Sequence, residues 1–250
     1  MTRPLFGGRR TPALELLGSV AEALGPLVDR VVFIRGAIAP LLQTPPVSPR
    51  VRPTKDVDGV AITATYSEFY ILQEQLRARG FVQRALDADT SRHAHRWTTP
   101  TGILFDLVPA GTHLGGSGSP LDQVAVDTAV EIALQTSNGA GMVIRHADAP
   151  TFIALKWVAF EDRGGGDLLG SHDVEDILAV VASRPSLPSE CAPAPERVRT
   201  VLRAMASTLI ASDDTLGEVL HAHLVVDHGH DQSQVHLFTR DHLRLLAALL

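Results

Sequence analysis

Residues 54–62 read Thr-Lys-Asp-Val-Asp-Gly-Val-Ala-Ile and place two carboxylates at the start of an otherwise apolar segment. Polar and apolar residues alternate over its first half, as in a half-exposed β-strand. Residues two apart in a strand share a face, so Asp56 and Asp58 are predicted to lie side by side. Adjacent carboxylates repel, and a hard divalent cation with oxygen ligands is the natural ion between them. An isolated Asp-x-Asp pair also occurs in surface turns, so the neighbouring sequence is needed to distinguish a metal site from a surface turn.

A third carboxylate lies about fifty residues downstream. Asp106 interrupts the apolar run Ile-Leu-Phe-Asp-Leu-Val at 103–108, where an unpaired buried charge would be costly. If the two strands are neighbours in one sheet, Asp56, Asp58 and Asp106 converge. Three such carboxylates can hold two Mg²⁺ ions roughly 3.5–4 Å apart, the spacing used for in-line phosphoryl displacement.

A glycine turn precedes the carboxylates. The β-branched and aromatic run Val31–Ile34 predicts a buried strand, which leads through Arg35-Gly36 into a short helix at 37–39. A glycine at this point lets the backbone approach a phosphate chain, and a helix N-terminus offers N–H donors. Lys55, one of only two lysines in the chain, supplies a compact positive charge just ahead of Asp56.

The remaining pattern predicts an N-terminal half of mixed α and β structure and a mostly helical C-terminal half. Helices are predicted over 12–24, 66–79, 148–162 and 172–183, and strands over 93–99, 103–108, 128–135 and 141–145, the last two joined by an Asn138-Gly139 hairpin turn. Proline-rich or Gly/Ser-rich loops are predicted at 44–54, 111–120 and 185–195. These boundaries divide the chain into three segments: 1–115, 116–185 and 186–250.

The order of these elements resembles the minimal nucleotidyltransferase fold, the core of the DNA polymerase β-like superfamily. Within that group the chain is most similar to the small bacterial AbiEii-type nucleotidyltransferases. Gly36, Asp56, Asp58 and Asp106 match the signature of a glycine turn, Asp-x-Asp and a later single Asp. The resemblance covers roughly residues 28–183. It implies an α+β fold, a mixed sheet flanked by helices, followed by a mostly helical C-terminal region.

A downstream motif extends the resemblance. The family has a Lys at the start of a helix, then an Arg, then two Asp three residues apart, and Lys156, Arg163, Asp173 and Asp176 match it. The resemblance implies that Lys156 contacts the nucleotide and that the other three support the site. The alternatives are a surface lysine that extends along its own helix and first-turn acids that complement a helix dipole.

The resemblance implies a Mg²⁺- or Mn²⁺-dependent enzyme that moves a nucleoside monophosphate from an NTP to an acceptor hydroxyl. Asp56, Asp58 and Asp106 would be both the metal ligands and the catalytic residues. The acceptor is an RNA 3′ end, a protein or a small molecule, and the AbiEii likeness favours a toxin with a cognate antitoxin. Ala37 departs from the usual Gly or Ser and has no hydroxyl for a phosphate. That departure keeps open a catalytically weak nucleotide-binding or regulatory protein of the same fold.

Composition narrows the partners and the compartment. The 250 residues carry a formal net charge of −6, and residues 126–250 hold 9 basic against 17 acidic side chains, so no broad surface for nucleic acid is expected. One cysteine, Cys191, excludes an internal disulfide framework. The first ten residues lack the apolar core of a secretory signal, and every apolar run is short, so a cytoplasmic protein without a membrane span is predicted. Six histidines at 221–242 are expected in a solvated or partner-facing tail.

Overall fold

The structure, a computed structural model, describes residues 11–44, 49, 52–84, 95–110, 119–135, 141–225 and 230–249. Contacts divide the chain into two compact units. Unit 1 comprises Met1–Pro40 with Pro53–Asp148, and unit 2 comprises Leu41–Arg52 with Ala149–Leu250. These boundaries differ in position from the compositional ones near 115 and 185, and the division into three segments stays a prediction.

Unit 1 is built on a mixed sheet. Its described strands are β1 (Val31–Ile34), β2 (Asp56–Ala61), β3 (Val82–Gln83), β4 (Arg96–Thr98), β5 (Leu104–Pro109), β6 (Val130–Gln135) and β7 (Gly141–His146). They are ordered β3-β4-β5-β2-β1-β7-β6. The pairs β2–β5 and β1–β7 are parallel and the other pairs are antiparallel. Helices α1 (Pro12–Leu24), α3 (Tyr66–Ala78) and α4 (Pro120–Asp127) accompany the sheet.

Local sequence explains how the chain enters the sheet. Thr11 caps α1 by accepting a hydrogen bond from the Leu14 N–H, and Gly25 ends the helix with φ 53°, a conformation that glycine adopts without strain. A 3₁₀ turn over Gly25–Arg30 then leads into β1, whose four residues are all buried. Strand β1 is therefore the apolar centre of the sheet, and its end at Ile34 delivers the chain to the glycine turn.

The core of unit 1 fills one face of the sheet with aromatic rings. Phe33 of β1, Phe105 of β5 and Phe81 pack with ring centroids 6.2–6.5 Å apart. Gly59 of β2 lies among them, and a Cβ there would come within 2.7 Å of the Val31 side chain. Residues that alternate with these rings, including Asp56, Asp58 and Asp106, consequently project from the opposite face.

Unit 2 is helical. Its described helices are α5 (Ala149–Arg163), α6 (His172–Ser183), α7 (Leu187–Cys191), α8 (Glu196–Leu209), α9 (Asp213–His223) and α10 (Gln232–Leu249), while α2 (Ala39–Leu42) spans the boundary between the units. Helix α5 packs on α6 and α8, and α10 packs on α8 and α6. Phe152 and Trp157 of α5 and Ile177 of α6 are buried there. None of the helices in the described part of the chain combines the length and the apolar character that crossing a membrane requires.

The predicted fold class is confirmed: the protein is α+β, with a mixed sheet flanked by helices and a helical C-terminal part. The four predicted helices agree with α1, α3, α5 and α6 to within a residue at each end. Strands β6 and β7 form the predicted antiparallel pair. The Asn138-Gly139 turn and most of the 44–54 and 111–120 loops lie outside the described residues.

The prediction of an open linker at 185–195 is wrong. Leu187–Cys191 forms α7, with Pro188 in its first turn, where the missing N–H costs no helical hydrogen bond. Leu187 and Cys191 are buried, and Arg184 ties the segment down by donating to Glu190 and to the Leu42 carbonyl. Proline content therefore marks a helix start here rather than an extended chain.

The prediction of a solvated or partner-facing histidine tail is wrong for His242, which is buried in α10. Val235, Thr239, His242, Leu243 and Leu246 are buried at helical spacing. Burial of each of the two leucines contributes about 1.5–3 kcal/mol. The His242 Nδ1 lies 3.0 Å from the Phe238 carbonyl within the same helix. The last helix is thus part of the core of unit 2.

Candidate functional site

The register of β2 and β5 brings the three carboxylates together. Asp58 and Asp106 are direct partners across the parallel pair, and Asp56 precedes Asp58 by two residues on the same face. Asp58 is buried and the other two are partly exposed. Ile34, the last residue of β1, pairs with Asp58 on the other side. The glycine turn that follows β1 is therefore a direct neighbour of the carboxylates.

Arg96, which the sequence analysis did not single out, binds two of the three carboxylates. It faces Asp106 across the antiparallel β4–β5 pair. Its Nε donates to Asp106 Oδ1 at 2.7 Å and its Nη2 to Asp106 Oδ2 at 2.6 Å, a two-pronged pair, and Nη2 also lies 3.5 Å from Asp56 Oδ2. The hydrogen bond to Asp106 raises the pKa of Arg96, and the charges of Asp106, Asp56 and Asp58 outweigh the opposing effect of burial.

Arg35 binds the remaining carboxylate. Its Nη1 donates to Asp58 Oδ1 at 3.0 Å. The backbone of Arg35 has φ 61° and ψ −150°, a region that only glycine occupies without strain, whereas Gly36 has no positive φ. The residue with the glycine-like conformation is thus Arg35. The strain is stored directly beside the carboxylates.

Removing Arg35 in two ways should measure that strain. Arg35→Ala and Arg35→Gly both lose the contact with Asp58, but only glycine relaxes the backbone. We expect the glycine variant to be more stable than the alanine variant by about 1 kcal/mol, because relief of strain exceeds the extra entropy of an unfolded glycine. Urea unfolding of both variants measures the difference. Equal stabilities would mean that the turn relaxes around any residue.

Ala37, Thr54 and Lys55 lie within two residues of Arg35 or Asp56 in the chain. Ala37 lies in a 3₁₀ turn over Gly36–Ile38 and is fully buried. Thr54 donates its hydroxyl to Asp56 Oδ1 at 3.2 Å and to the Asp56 carbonyl at 3.1 Å, which orients the first carboxylate. Lys55 is exposed and forms no ion pair with a described residue. Its charge is therefore open to an incoming anion.

A divalent cation fits this site by the chemistry of its donor set. Carboxylate oxygens on one face of two neighbouring strands are the ligands that Mg²⁺ and Mn²⁺ prefer. Oxygens of Asp56, Asp58 and Asp106 instead accept hydrogen bonds from guanidinium and hydroxyl groups. Within the described ranges, no group of three or more His, Cys, Asp or Glu side chains is placed to hold a metal ion. Arg35 and Arg96 thus bind the carboxylates that the sequence analysis assigned to a metal ion, and that assignment stays a prediction.

The downstream motif forms a buried cluster inside unit 2. Lys156 of α5 places its Nζ 2.6 Å from Asp176 Oδ2 and 3.0 Å from Asp173 Oδ1. The two acids lie one turn apart in the first half of α6, whose start is capped by Ser171. Arg163 approaches Asp173 from the exposed side at 3.2 Å. Lys156 is buried, so the alternative of an extended surface lysine is wrong.

Charge and burial oppose each other in this cluster. Burial alone would lower the pKa of Lys156, but the charges of Asp176 and Asp173 and their hydrogen bonds outweigh it and raise that pKa. Burial would raise the pKa of Asp173, yet Lys156 and Arg163 lower it. For Asp176 burial prevails and the pKa is raised despite the 2.6 Å contact with Lys156. The pairing with Lys156 therefore outweighs burial at Asp173 but not at Asp176.

Comparisons with known proteins give structural similarity at low identity. No family model matches the chain, and no curated protein matches it in sequence. An antigenic nucleotidyltransferase-like protein from Paracoccidioides brasiliensis is similar in structure, with 18% identity, a TM-score of 0.47, and coverage of 85% of this chain and 94% of that one. JHP933 from Helicobacter pylori is similar with 14% identity, a TM-score of 0.45, and coverage of 96% of this chain and 94% of that one.

Proposed function

We propose that this protein is a metal-dependent nucleotidyltransferase that moves a nucleoside monophosphate from an NTP to an acceptor hydroxyl, with pyrophosphate as the leaving group. The observation that carries the proposal is the convergence of Asp56, Asp58 and Asp106 on one face of β2 and β5, next to the turn that follows β1. Three carboxylates in neighbouring strands are a donor set for hard divalent cations.

Each residue has a role in this proposal. Asp56, Asp58 and Asp106 hold Mg²⁺ or Mn²⁺, which when bound supplies Lewis-acid stabilisation of charge on the phosphoryl oxygens. An Asp106 carboxylate oxygen accepts the proton of the acceptor hydroxyl. The nucleotide's phosphates approach the backbone at Gly36 and Ala37 and the exposed ammonium of Lys55. From the resemblance, Lys156 contacts the nucleotide, and Arg163, Asp173 and Asp176 position it through the contacts of the buried cluster.

The acceptor is proposed by class. The AbiEii likeness points to an RNA 3′ end or a protein side chain, with a small molecule as the third class. In that setting the enzyme acts as a cytoplasmic toxin and pairs with an antitoxin. A net charge of −6 favours a local rather than an extended contact with RNA.

A catalytically weak nucleotide-binding or regulatory protein is the second candidate. Two observations favour it: Ala37 offers no hydroxyl, and guanidinium groups bind all three carboxylates. Wild-type protein that binds nucleotide with metal but transfers no nucleotidyl group would select this candidate.

Thermal unfolding tests metal and nucleotide binding together. A ligand that binds only the folded state raises the melting temperature by mass action. We expect Mg²⁺ or Mn²⁺ to raise it and an NTP to add to the rise only when metal is present. Asp56→Asn and Asp58→Asn should lose most of the response, because each removes one ligand charge at nearly constant shape. The same response in wild type and both variants would show that these acids lie outside any metal site.

Transfer itself is measured with each of the four NTPs labelled at the α-phosphate. Total RNA, a protein extract and an aminoglycoside mixture serve as acceptors, with Mg²⁺ or EDTA. We expect metal-dependent label in one acceptor class. Nucleotide-dependent stabilisation without label in any class would favour the second candidate.

A further inference from the structure

The carboxylate site carries its own cations. Arg35 contacts Asp58, and Arg96 contacts Asp106 and Asp56, so two positive charges face three negative ones within one layer of side chains. A divalent cation that needs these oxygens therefore meets guanidinium groups that already use them.

Arg96 makes more hydrogen bonds to the carboxylates than Arg35 does. It makes two short hydrogen bonds to Asp106 and a longer contact to Asp56, whereas Arg35 reaches one oxygen of Asp58 at 3.0 Å. Its backbone is fixed opposite Asp106 by the β4–β5 register. Its side chain is still 22% exposed, which leaves a path to solvent. Arg96 is thus held at its backbone by the strand register and partly exposed at its side chain.

We propose that Arg96, which neutralises Asp106 and Asp56 in this structure, exchanges partners: it would yield their oxygens to a divalent cation held by Asp56, Asp58 and Asp106, and would then bind the triphosphate of the nucleotide. This inference rests on the proposed function. A displaced guanidinium needs a new anion, and its planar fork matches two phosphate oxygens as well as it matches a carboxylate. Arg96 is thereby both a competitor of the metal and a substrate-binding residue.

One substitution should therefore act on the two ligands with opposite sign. Arg96→Gln removes the competing charge, so Mn²⁺ alone should bind about tenfold more tightly, as read from the free Mn²⁺ signal in electron paramagnetic resonance. The same variant loses a charge-assisted fork, so a non-hydrolysable NTP with saturating Mg²⁺ should bind about tenfold more weakly in calorimetry. Of the non-hydrolysable analogues of the four NTPs, the one that the wild-type protein binds most tightly is used.

Two further variants make the comparison specific. Arg96→Lys keeps the charge but not the fork, and it should shift both affinities in the same directions as Arg96→Gln by a smaller factor. It also serves if Arg96→Gln does not fold. Arg30→Gln removes an equal charge at the opposite end of β1, where the arginine bonds Gln75, and should change neither affinity.

The outcomes separate the inference from the proposed function. Tighter Mn²⁺ binding together with weaker nucleotide binding supports the exchange. If the wild-type protein binds Mn²⁺ but the Arg96 variants bind it equally or more weakly, Arg96 forms only a cross-strand ion pair. In that case the inference fails and the proposed function stands. Tighter Mn²⁺ binding with unchanged nucleotide binding also overturns the exchange. If wild type and variants all bind neither ligand, the proposed function fails and the inference falls with it.

Discussion

Lys156→Met is expected to lower the free energy of unfolding by about 3–5 kcal/mol, because it leaves buried carboxylates without their cation. Asp173 and Asp176 are both buried and both contact the Lys156 ammonium. Methionine matches the length of the lysine stem, so the packing of α5 on α6 changes little. Urea unfolding at pH 7, followed by circular dichroism, measures the loss.

Arg163→Met is the matched control. Arg163 contacts the same Asp173 carboxylate, but its side chain is 55% exposed. Exposed pairs contribute about 0–1 kcal/mol, so this variant should lose no more than that. The combination of Lys156→Met with Asp173→Asn and Asp176→Asn removes the buried charges as well and should recover much of the stability. A loss in Lys156→Met no larger than in Arg163→Met would contradict a buried ion-pair cluster.

The cost of Lys156→Met should shrink in acid. The lowered pKa of Asp173 means that its pairing stabilises the wild type above the unfolded carboxyl value of about 4, and that this contribution is lost as pH falls through the folded value. In the variant the unpaired acids bind protons more readily than in the unfolded chain, so acid stabilises it. The difference between wild type and variant should therefore narrow from about pH 7 to about pH 4.

The raised pKa of Lys156 determines how the stability of the wild type falls at alkaline pH. Its pairing stabilises the wild type below the unfolded lysine value of about 10.4 and is lost as pH rises through the folded value. Asp176 and Asp173 affect the stability in acid in opposite directions. Because the pKa of Asp176 is raised, its ionisation costs stability, and its protonation in acid stabilises the folded protein. A pH-independent difference between wild type and Lys156→Met would contradict this assignment of charges.

Asp58→Asn is expected to lower the rate of nucleotidyl transfer about 1000-fold. The amide keeps the shape of the side chain but removes a ligand charge from the proposed metal site. Metal stabilisation of a phosphoryl transition state amounts to several kcal/mol, and each 1.36 kcal/mol is a factor of ten. Labelled-NTP transfer under saturating Mg²⁺ measures the rate.

The control for this substitution is Asp29→Asn. Asp29 is an exposed acid in the turn before β1, so its variant removes an equal charge and should transfer at the wild-type rate. A melting curve of the Asp58→Asn variant, which loses the ion pair with Arg35, is the check that it is folded at the assay temperature. A folded Asp58→Asn variant with a wild-type rate would remove the carboxylates from the chemistry.

Local sequence determined much of this protein. Capping residues and apolar periodicity specified α1, α3, α5 and α6, since Thr and Ser caps and repeated apolar positions act within one or two turns. Strand periodicity alone placed Asp56 and Asp58 on one face. The buried stripe Val235–Leu246 also follows helical spacing, although the same segment is rich in histidine.

Only the tertiary structure decided what neutralises the carboxylates. Arg96 lies ten residues before Asp106 in the chain. The register of the antiparallel pair β4–β5 places the two residues opposite each other, and the sequence alone does not specify that register. Lys156 meets Asp173 and Asp176 because two helices pack, which no spacing along the chain specifies. Propensity and periodicity act over a few residues, whereas these ion pairs span 10, 17 and 20 positions. Which charge meets which is decided by register and packing.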